Sequence, residues 1–526
     1  MFRIILIFIT LCTLSTYSEG ANIVFLSPVA SPSHHNWNRN IYYALAGKGH
    51  NVTVLSPDVD REITKNVHYI KIEGMYEALY NGSDQFNFVE MTKVTKFQNT
   101  KDFWEFCTIT ADVAAASKGL QTLLNYPETF KVDLLMIDLT VGPYMLGFLD
   151  KFNYPPTVAV TAFSYPHYMF HSFGGHRQPA YMPHYEADFP NEMSLYQRLF
   201  NQILTWYDDY LYLGHFLKDQ DKLMRQIFKN DNLPYVLDLT KKIGLLLSNT
   251  HFAVEKMQPL PTNVITVGGL QIRPPKPLDN ELKTFIEAGK KGTVLFSLGT
   301  NMKSSLLDKS IVQMFLNVFN ELPQFNFIWK YETDLDLKIP KNVKLQGWVR
   351  QNDILAHPNV KGFISHCGLL GTQEAIWHGV PIIGIPFFAD QLRNILSIIR
   401  AGVGVKVDYN TISHDSLKAA LVEALENPKY LENAKKRSRL FQDQADAPLD
   451  RAVFWIEWAM RHKDDMDSIA SPVKDIGWFV GNGYDVLLII FVVSFISFQI
   501  IKCAIQSILS KICSKKSVTK SKKKTN

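Results

Sequence analysis

Two doubly wound parallel sheets of the α/β class, followed by one membrane-spanning helix, are the architecture this sequence predicts. Three observations carry it. Short apolar runs alternate with helix-like stretches over most of the 526 residues, the pattern of parallel sheets covered on both faces. One long Pro/Gly-rich interruption, Pro259 to Pro277, divides that alternation into two series and reads as a linker. A charge-free run near the C-terminus, Val486 to Ile501, has aromatic residues before it and Lys502 after it, as at a bilayer interface.

In chain order, Met1-Phe-Arg3, the apolar Ile4 to Leu14 and Ser18-Glu19-Gly20 have the charged start, short apolar core and small-x-small end of a signal peptide over residues 1–20. An uncleaved anchor or a first buried strand is the alternative. Asn22 to Ser27, a helix around Trp37 to Ala46 ending at Gly47-Lys-Gly49, and His50 to Ser56 form a βαβ opening. Further strands are expected at Val132–Ile137, Thr157–Ala162 and Ile243–Ser248, completing a first domain over 21–258. After a linker at 259–285 come Thr293–Ser297, Phe325–Lys330, Val360–Ser365 and Ile382–Ile385, in a second domain over 286–465 that includes C-terminal helices. A juxtamembrane segment (466–484), a span (485–505) and a basic tail (506–526) close the chain.

Composition narrows the class. At 46% hydrophobic, 20% charged and mean hydropathy −0.05, the chain is neither disordered nor polytopic. Eight lysines and no acid lie from Lys502 onward, so the net charge of +5 becomes −3 once those eight are set aside. A folded body with no basic excess argues against nucleic acid as a partner. Of five cysteines only Cys107 and Cys367 fall in the body, so neither a disulfide framework nor a zinc cluster is legible. The basic tail places the C-terminus in the cytosol by the positive-inside bias. With the signal segment this predicts a single-pass type I protein whose body is lumenal. Lys523 and Lys524, three and four from the end, resemble a dilysine retrieval signal of the endoplasmic reticulum. The sequons Asn51-Val-Thr53 and Asn81-Gly-Ser83 suit a lumenal body.

Two strand-to-helix turns of the second series point to an anion. After Ser297 the chain reads Leu298-Gly299-Thr300-Asn301, and after Ser365 it reads His366-Cys-Gly368-Leu-Leu-Gly371. Glycine at such a turn lets backbone N–H groups and a positive helix end approach a diphosphate. Together Trp348-Val-Arg-Gln351, Phe363-Ile-Ser-His366-Cys-Gly368, Glu374 and Pro386-Phe-Phe-Ala-Asp390-Gln391 span 44 residues and resemble the signature of the UDP-glycosyltransferases, in particular the animal membrane-bound branch and its invertebrate members. The flanks resemble that branch too.

That resemblance implies a GT-B fold, two Rossmann-like domains facing a cleft, and transfer of a sugar from a UDP-sugar with inversion and with neither metal nor prosthetic group. It implies that Trp348 stacks on uracil while Gln351 bonds its edge. His366, Ser297, Gly299, Gly368 and Thr300 would hold the diphosphate, Glu374 the ribose diol, and Asp390 with Gln391 the donor sugar. One departure is Leu370, where many members have an Asn that helps to hold phosphate.

Inverting transfer needs a base oriented by a carboxylate. Ser33-His34-His35, in a loop after the first strand, and Asp138, after the strand ending at Ile137, offer both; the resemblance favours His34 over His35. Phe103-Trp104-Glu-Phe106, Phe163 to Phe173 and Trp206-Tyr207 to Phe216 supply aromatic wall for a small lipophilic acceptor or else plain core. The last of these also fits a membrane surface. The resulting expectation is a hexosyltransferase with glucose as favoured donor and detoxification as setting. Glucuronic acid with Arg393 as its partner, a dedicated steroid or lipid acceptor, and a non-catalytic lipophilic-ligand carrier are the rival readings. Oligomeric state stays open, a homo-oligomer included.

Overall fold

The computed structural model describes residues 20–62, 64–80, 89–175 and 177–522. The expected signal segment up to residue 19, the sequon at Asn81, and Lys523 with Lys524 lie outside the described residues.

The first sheet has seven strands, β1 (Asn22–Leu26), β2 (Asn51–Ser56), β3 (Val67–Lys71), β4 (Leu134–Asp138), β5 (Thr157–Thr161), β6 (Leu245–Ser248) and β7 (Val264–Thr266). All pair in parallel, in the order β3-β2-β1-β4-β5-β6-β7. The second has six parallel strands, β8 (Gly292–Ser297), β9 (Phe325–Lys330), β10 (Val343–Gln346), β11 (Val360–Ser365), β12 (Ile382–Gly384) and β13 (Gly404–Lys406), in the order β10-β9-β8-β11-β12-β13. In each sheet the strand order reverses beside the first strand, between β1 and β4 and between β8 and β11. Ligands of such sheets bind at the C-terminal ends of the strands where that reversal opens a crevice.

The helices that matter for the cleft are α1 (Pro32–Gly47), α2 (Lys96–Ala116), α3 (Leu195–Leu211), α4 (Gln351–Leu355), α5 (Leu369–His378) and α6 (Gln391–Arg400); α7 (Pro448–Arg461) and α8 (Tyr484–Lys522) follow. The central strands are predominantly apolar because both faces are covered. On β1, Val24 and Leu26 join a core with Trp104, Phe148 and Phe216. The alternate residues Ile23 and Phe25 face the opposite core with Trp37 and Ile41 of α1.

Four findings differ from the sequence expectations. Helix α1 begins at Pro32, in the favoured first position, so His34 and His35 stand in its first turn and not in a loop. Asp138 is the last residue of β4 and does not follow it. Val264–Thr266, inside the stretch read as linker, forms the edge strand β7 of the first sheet. The apolar face of α7, assigned from sequence to the second domain, completes the first domain's core: Ala452, Val453, Ile456 and Ala459 pack with Ile23, Phe25 and Trp37.

Helix α8 carries an apolar stretch from Tyr484 to Ile512 with mean hydropathy 2.5 and no burial. Among the described residues it is the one helix long and apolar enough to cross a membrane. It runs unbroken to Lys522, past the expected end at residue 505 and into the segment expected as tail.

Candidate active site

At the reversal point of the first sheet, parallel pairing sets Leu26 beside Ile137, and the residues that follow each strand meet. His34 Nδ1 lies 3.2 Å from Asp138 Oδ2. One helical turn later Asn38 donates to the same oxygen and to Ser27 Oγ, both at 3.0 Å. Thr140 N–H donates to Asp138 Oδ1 at 3.1 Å. Asp138 is fully buried. Burial alone would raise its pKa, but His34, Thr140 and Asn38 together hold the carboxyl below its ordinary value. A carboxylate on Nδ1 keeps the imidazole proton on that nitrogen and leaves Nε2 as a lone-pair acceptor. His34 lines the cleft between the sheets, and Asp138 stands behind it. His35 is separate: its Nε2 lies 3.2 Å from Asp60 and its Nδ1 3.3 Å from the Tyr42 hydroxyl, which makes it part of the α1 packing.

The second sheet's reversal point faces this pair. Register sets Ser297 beside Ser365, so the turn at Gly299 and the turn at His366 are neighbours. Gly299 has φ +89, and a Cβ there would meet His366 Cε1 at 2.5 Å; a Cβ at Gly368 would meet His366 Nε2 at 2.4 Å. The imidazole fills a slot that only two glycines leave open. Burial, with Lys330 nearby, pulls the His366 pKa down to about 4, so this ring is neutral near pH 7, and its Nδ1 is buried with no partner. The positive side chain at this turn is therefore Lys330, which the sequence did not single out because it ends a strand outside the motif. Lys330, buried, donates to Gly299 O at 2.8 Å and to Glu332 at 2.7 Å. The N-terminus of α5 adds its partial positive charge. Ser297 Oγ accepts from Gly299 N–H at 3.3 Å, and Thr300 lines the same cleft.

Trp348 is 64% exposed, with Lys330 Nζ 5.8 Å from its ring centroid: a free indole face on the cleft wall, not core. Gln351 opens α4 and donates to Glu374 Oε2 at 2.7 Å; burial pushes the Glu374 carboxyl up to about 7. Asp390 is raised to about 6 by burial and accepts from Asn394 at 2.8 Å. Gln391 Oε1 accepts the N–H groups of Phe387 and Phe388, which leaves its amide N–H₂ for a ligand and fixes the Phe387–Asp390 turn, where Ala389 has φ 54. Leu370, half-buried, packs against the first domain's core while lining the cleft. Arg393 is ion-paired with Glu255. Asn301 donates to Ser31 Oγ at 2.9 Å, tying the Gly299 turn to the residue that caps α1.

Eleven of the twelve sequence-selected residues therefore line one cleft, with Asp138 directly behind it. Beyond His34 the cleft opens into two apolar lobes that share Phe103, Phe163 and Ala389. Of the aromatic clusters, Phe103, Phe106 and Phe163 line these lobes, Trp104 and Phe216 are core, and Trp206 and Tyr210 point outward. One lobe borders a buried group not foreseen from sequence, Asp208 between His167 (2.6 Å) and His184 (2.9 Å). Glu186 N–H donates to His184 Nδ1, which sets that ring's proton on Nε2, facing Asp208; the group is a buried carboxylate hydrogen-bonded to His184 and Trp104, with His167 in ion-pair contact.

Comparison with known proteins gives the same fold and a family. A kitacinnamycin glycosyltransferase structure aligns with TM-score 0.55 and 17% identity, covering 84% of this chain and 99% of that one. The spinosyn forosaminyltransferase SpnP aligns with the same values. Both support GT-B as the architecture. UDP-glucosyltransferase 2 of Dactylopius coccus is 32% identical over 97% of this chain and 96% of its own length. UDP-glucuronosyltransferase 2B7 of Homo sapiens is 31% identical over 95% and 96%. Residues 23–523 match the family described as UDP-glucoronosyl and UDP-glucosyl transferase. The chain belongs to that family, whose members transfer a sugar from a UDP-sugar to an acceptor without a prosthetic group.

Proposed function

We propose that the chain transfers a hexose, glucose first, from its UDP-sugar to a hydroxyl of a small lipophilic acceptor, with inversion at the anomeric carbon. The observation that carries this reading is the His34–Asp138 pair, poised between apolar lobes on one side and the Gly299 and His366 turns on the other. His34 Nε2 takes the acceptor's hydroxyl proton as the acceptor oxygen bonds to the anomeric carbon. The bond from that carbon to the β-phosphate oxygen breaks, and its electron pair leaves with UDP. Asp138 stabilises the imidazolium formed, in the way a triad carboxylate does. Lys330, Ser297, Thr300 and the α5 N-terminus meet the charge that develops on the diphosphate.

Trp348 stacks on uracil and Gln351 bonds its edge. Glu374 receives the ribose hydroxyls, and Asp390 with the Gln391 amide receives the sugar's. A neutral hexose fits better than a hexuronic acid because Arg393, the cation near Asp390, already serves Glu255. Anchoring by α8, a type I orientation and a lumenal body in the endoplasmic reticulum complete the proposal. The outward stripe of Leu199, Ile203, Trp206 and Tyr210 on α3 suits contact with that membrane and acceptors partitioned into it.

The test is UDP release by microsomes expressing the protein, with UDP-glucose against UDP-glucuronic acid and a simple phenol as acceptor. Release with glucose alone is expected. Release with glucuronic acid alone overturns the donor assignment, and silence with both donors across a panel of acceptors overturns the reading.

A further inference from the structure

The lobe that begins at His34 is walled by Val29, Phe103, Phe106, Val141 and Phe163, and among its polar residues, Ser31, Asp102, Thr140 and Asn301 included, Asn99 and Glu186 form a buried, mutually bonded pair. Asn99, on α2 and 3% exposed, donates its amide to Met91 O and to Glu186 Oε2, both at 3.2 Å. Its Oδ1 is buried with no donor. Glu186 is 1% exposed, accepts from Asn99, and lines the lobe together with Ala389, one residue before Asp390. A carboxylate offers about four lone-pair positions and an amide oxygen two, so this corner carries acceptor capacity that the protein does not fill. A buried acceptor without a donor is costly, and an all-apolar ligand would leave the cost standing. Thr140 Oγ1, on the same wall beside Asp138, is likewise buried without a partner, where the reacting hydroxyl would arrive.

We propose that the acceptor carries a second hydrogen-bond donor, a hydroxyl or an amine, in addition to the hydroxyl that reacts at His34, and that Asn99 and Glu186 bind it. The inference rests on the transferase reading above and narrows its substrate class from lipophilic alcohols to lipophilic molecules with two donor groups. Burial pushes Glu186 up to about 7, against Lys96, Asn99 and the Ala389 N–H. A ligand donor at that carboxyl adds to the same side and favours the charged form. Because Glu186 and Ala389 line the same lobe, the second group sits beside the loop that presents Asp390.

The experiment compares naphthol with a set of dihydroxynaphthalene isomers as acceptors for the full-length protein in microsomes, with the Glu186→Gln and Asn99→Leu variants alongside. The readout is the ratio of kcat/KM for each dihydroxy compound to that for naphthol, halved to correct for two reactive hydroxyls. Sites built to bond a polar group discriminate strongly against analogues lacking it, so at least one isomer is expected to give a ratio of about tenfold or more. That ratio should fall below about twofold in both variants. No preference for any isomer, or a preference that both variants keep, overturns the inference. Thermal-shift binding of the same compounds separates it from the transferase reading. If nothing is glycosylated but an isomer still stabilises the wild type more than naphthol does, and the variants less, the subsite stands and the transferase reading falls. Equal shifts throughout overturn the subsite.

Discussion

The two walls of the cleft are made in different ways. The wall proposed for the donor comes from one stretch, Ser297 to Gln391, and its residues sit on or near strand-to-helix turns of a single sheet. The wall proposed for the acceptor gathers Val29, Phe103, Val141, Phe163 and Glu186 from five separate segments and adds Ala389 from the other domain. A ligand held by neighbouring strand ends leaves a compact trace in the sequence, because sheet topology itself brings those turns together. A ligand held by distant helices and loops leaves a trace only in three dimensions.

That contrast can be broken in four ways, taken from the largest expected effect. His34→Ala should lower kcat about a thousandfold, within the range for loss of a general base, while calorimetric affinity for UDP stays as in the wild type; loss of both would show that the walls do not act separately. Ile456→Ala, on α7 within the first domain's core, should cost about 2–5 kcal/mol in urea unfolding, although the residue follows the donor domain in the chain. Trp348→Ala should weaken UDP binding by about 1–3 kcal/mol, the range for a base stacked on an aromatic ring, and leave the acceptor KM alone. Glu374→Gln should act through pH. The folded chain keeps the Glu374 proton up to about pH 7, whereas the unfolded chain releases it near 4.3. The ligand-free protein therefore loses stability as pH rises through that window. Between about pH 6 and 8 the variant's Tm should be flatter by the equivalent of about 1 kcal/mol, the smallest of these effects.

How much was legible follows the same physics. Every central strand announced itself as a predominantly apolar run, because two covered faces leave no regular polar alternation. The four strands that went unseen, Val67–Lys71, Val264–Thr266, Val343–Gln346 and Gly404–Lys406, are the four edges of the two sheets. They are only partly buried, so hydrophobicity does not mark them. Within the site, the motif spacing pointed to His366 and Glu374, and the histidine pair after the first strand with the aspartate closing β4 pointed to His34 and Asp138, the family resemblance choosing His34 over His35. Lys330 escaped because a lysine closing a strand looks like any solvated charge until it is found beneath Trp348. Asn99 and Glu186 escaped because nothing in the local sequence distinguishes a pocket-lining Asn or Glu from a surface one.

The return of α7 to the first domain also sets an order of assembly. The sheet of that domain is complete in the chain at Thr266, yet one of its two cores lacks a wall until Ala459 has been made, roughly 190 residues later. At about 5–20 residues per second the ribosome takes on the order of 10–40 s to supply them. During that interval the face around Ile23, Phe25 and Trp37 lies open to solvent or to a chaperone. The first domain, first to be synthesised, is thus among the last parts of the molecule to be sealed, and a chain truncated before Pro448 would carry its aggregation hazard permanently.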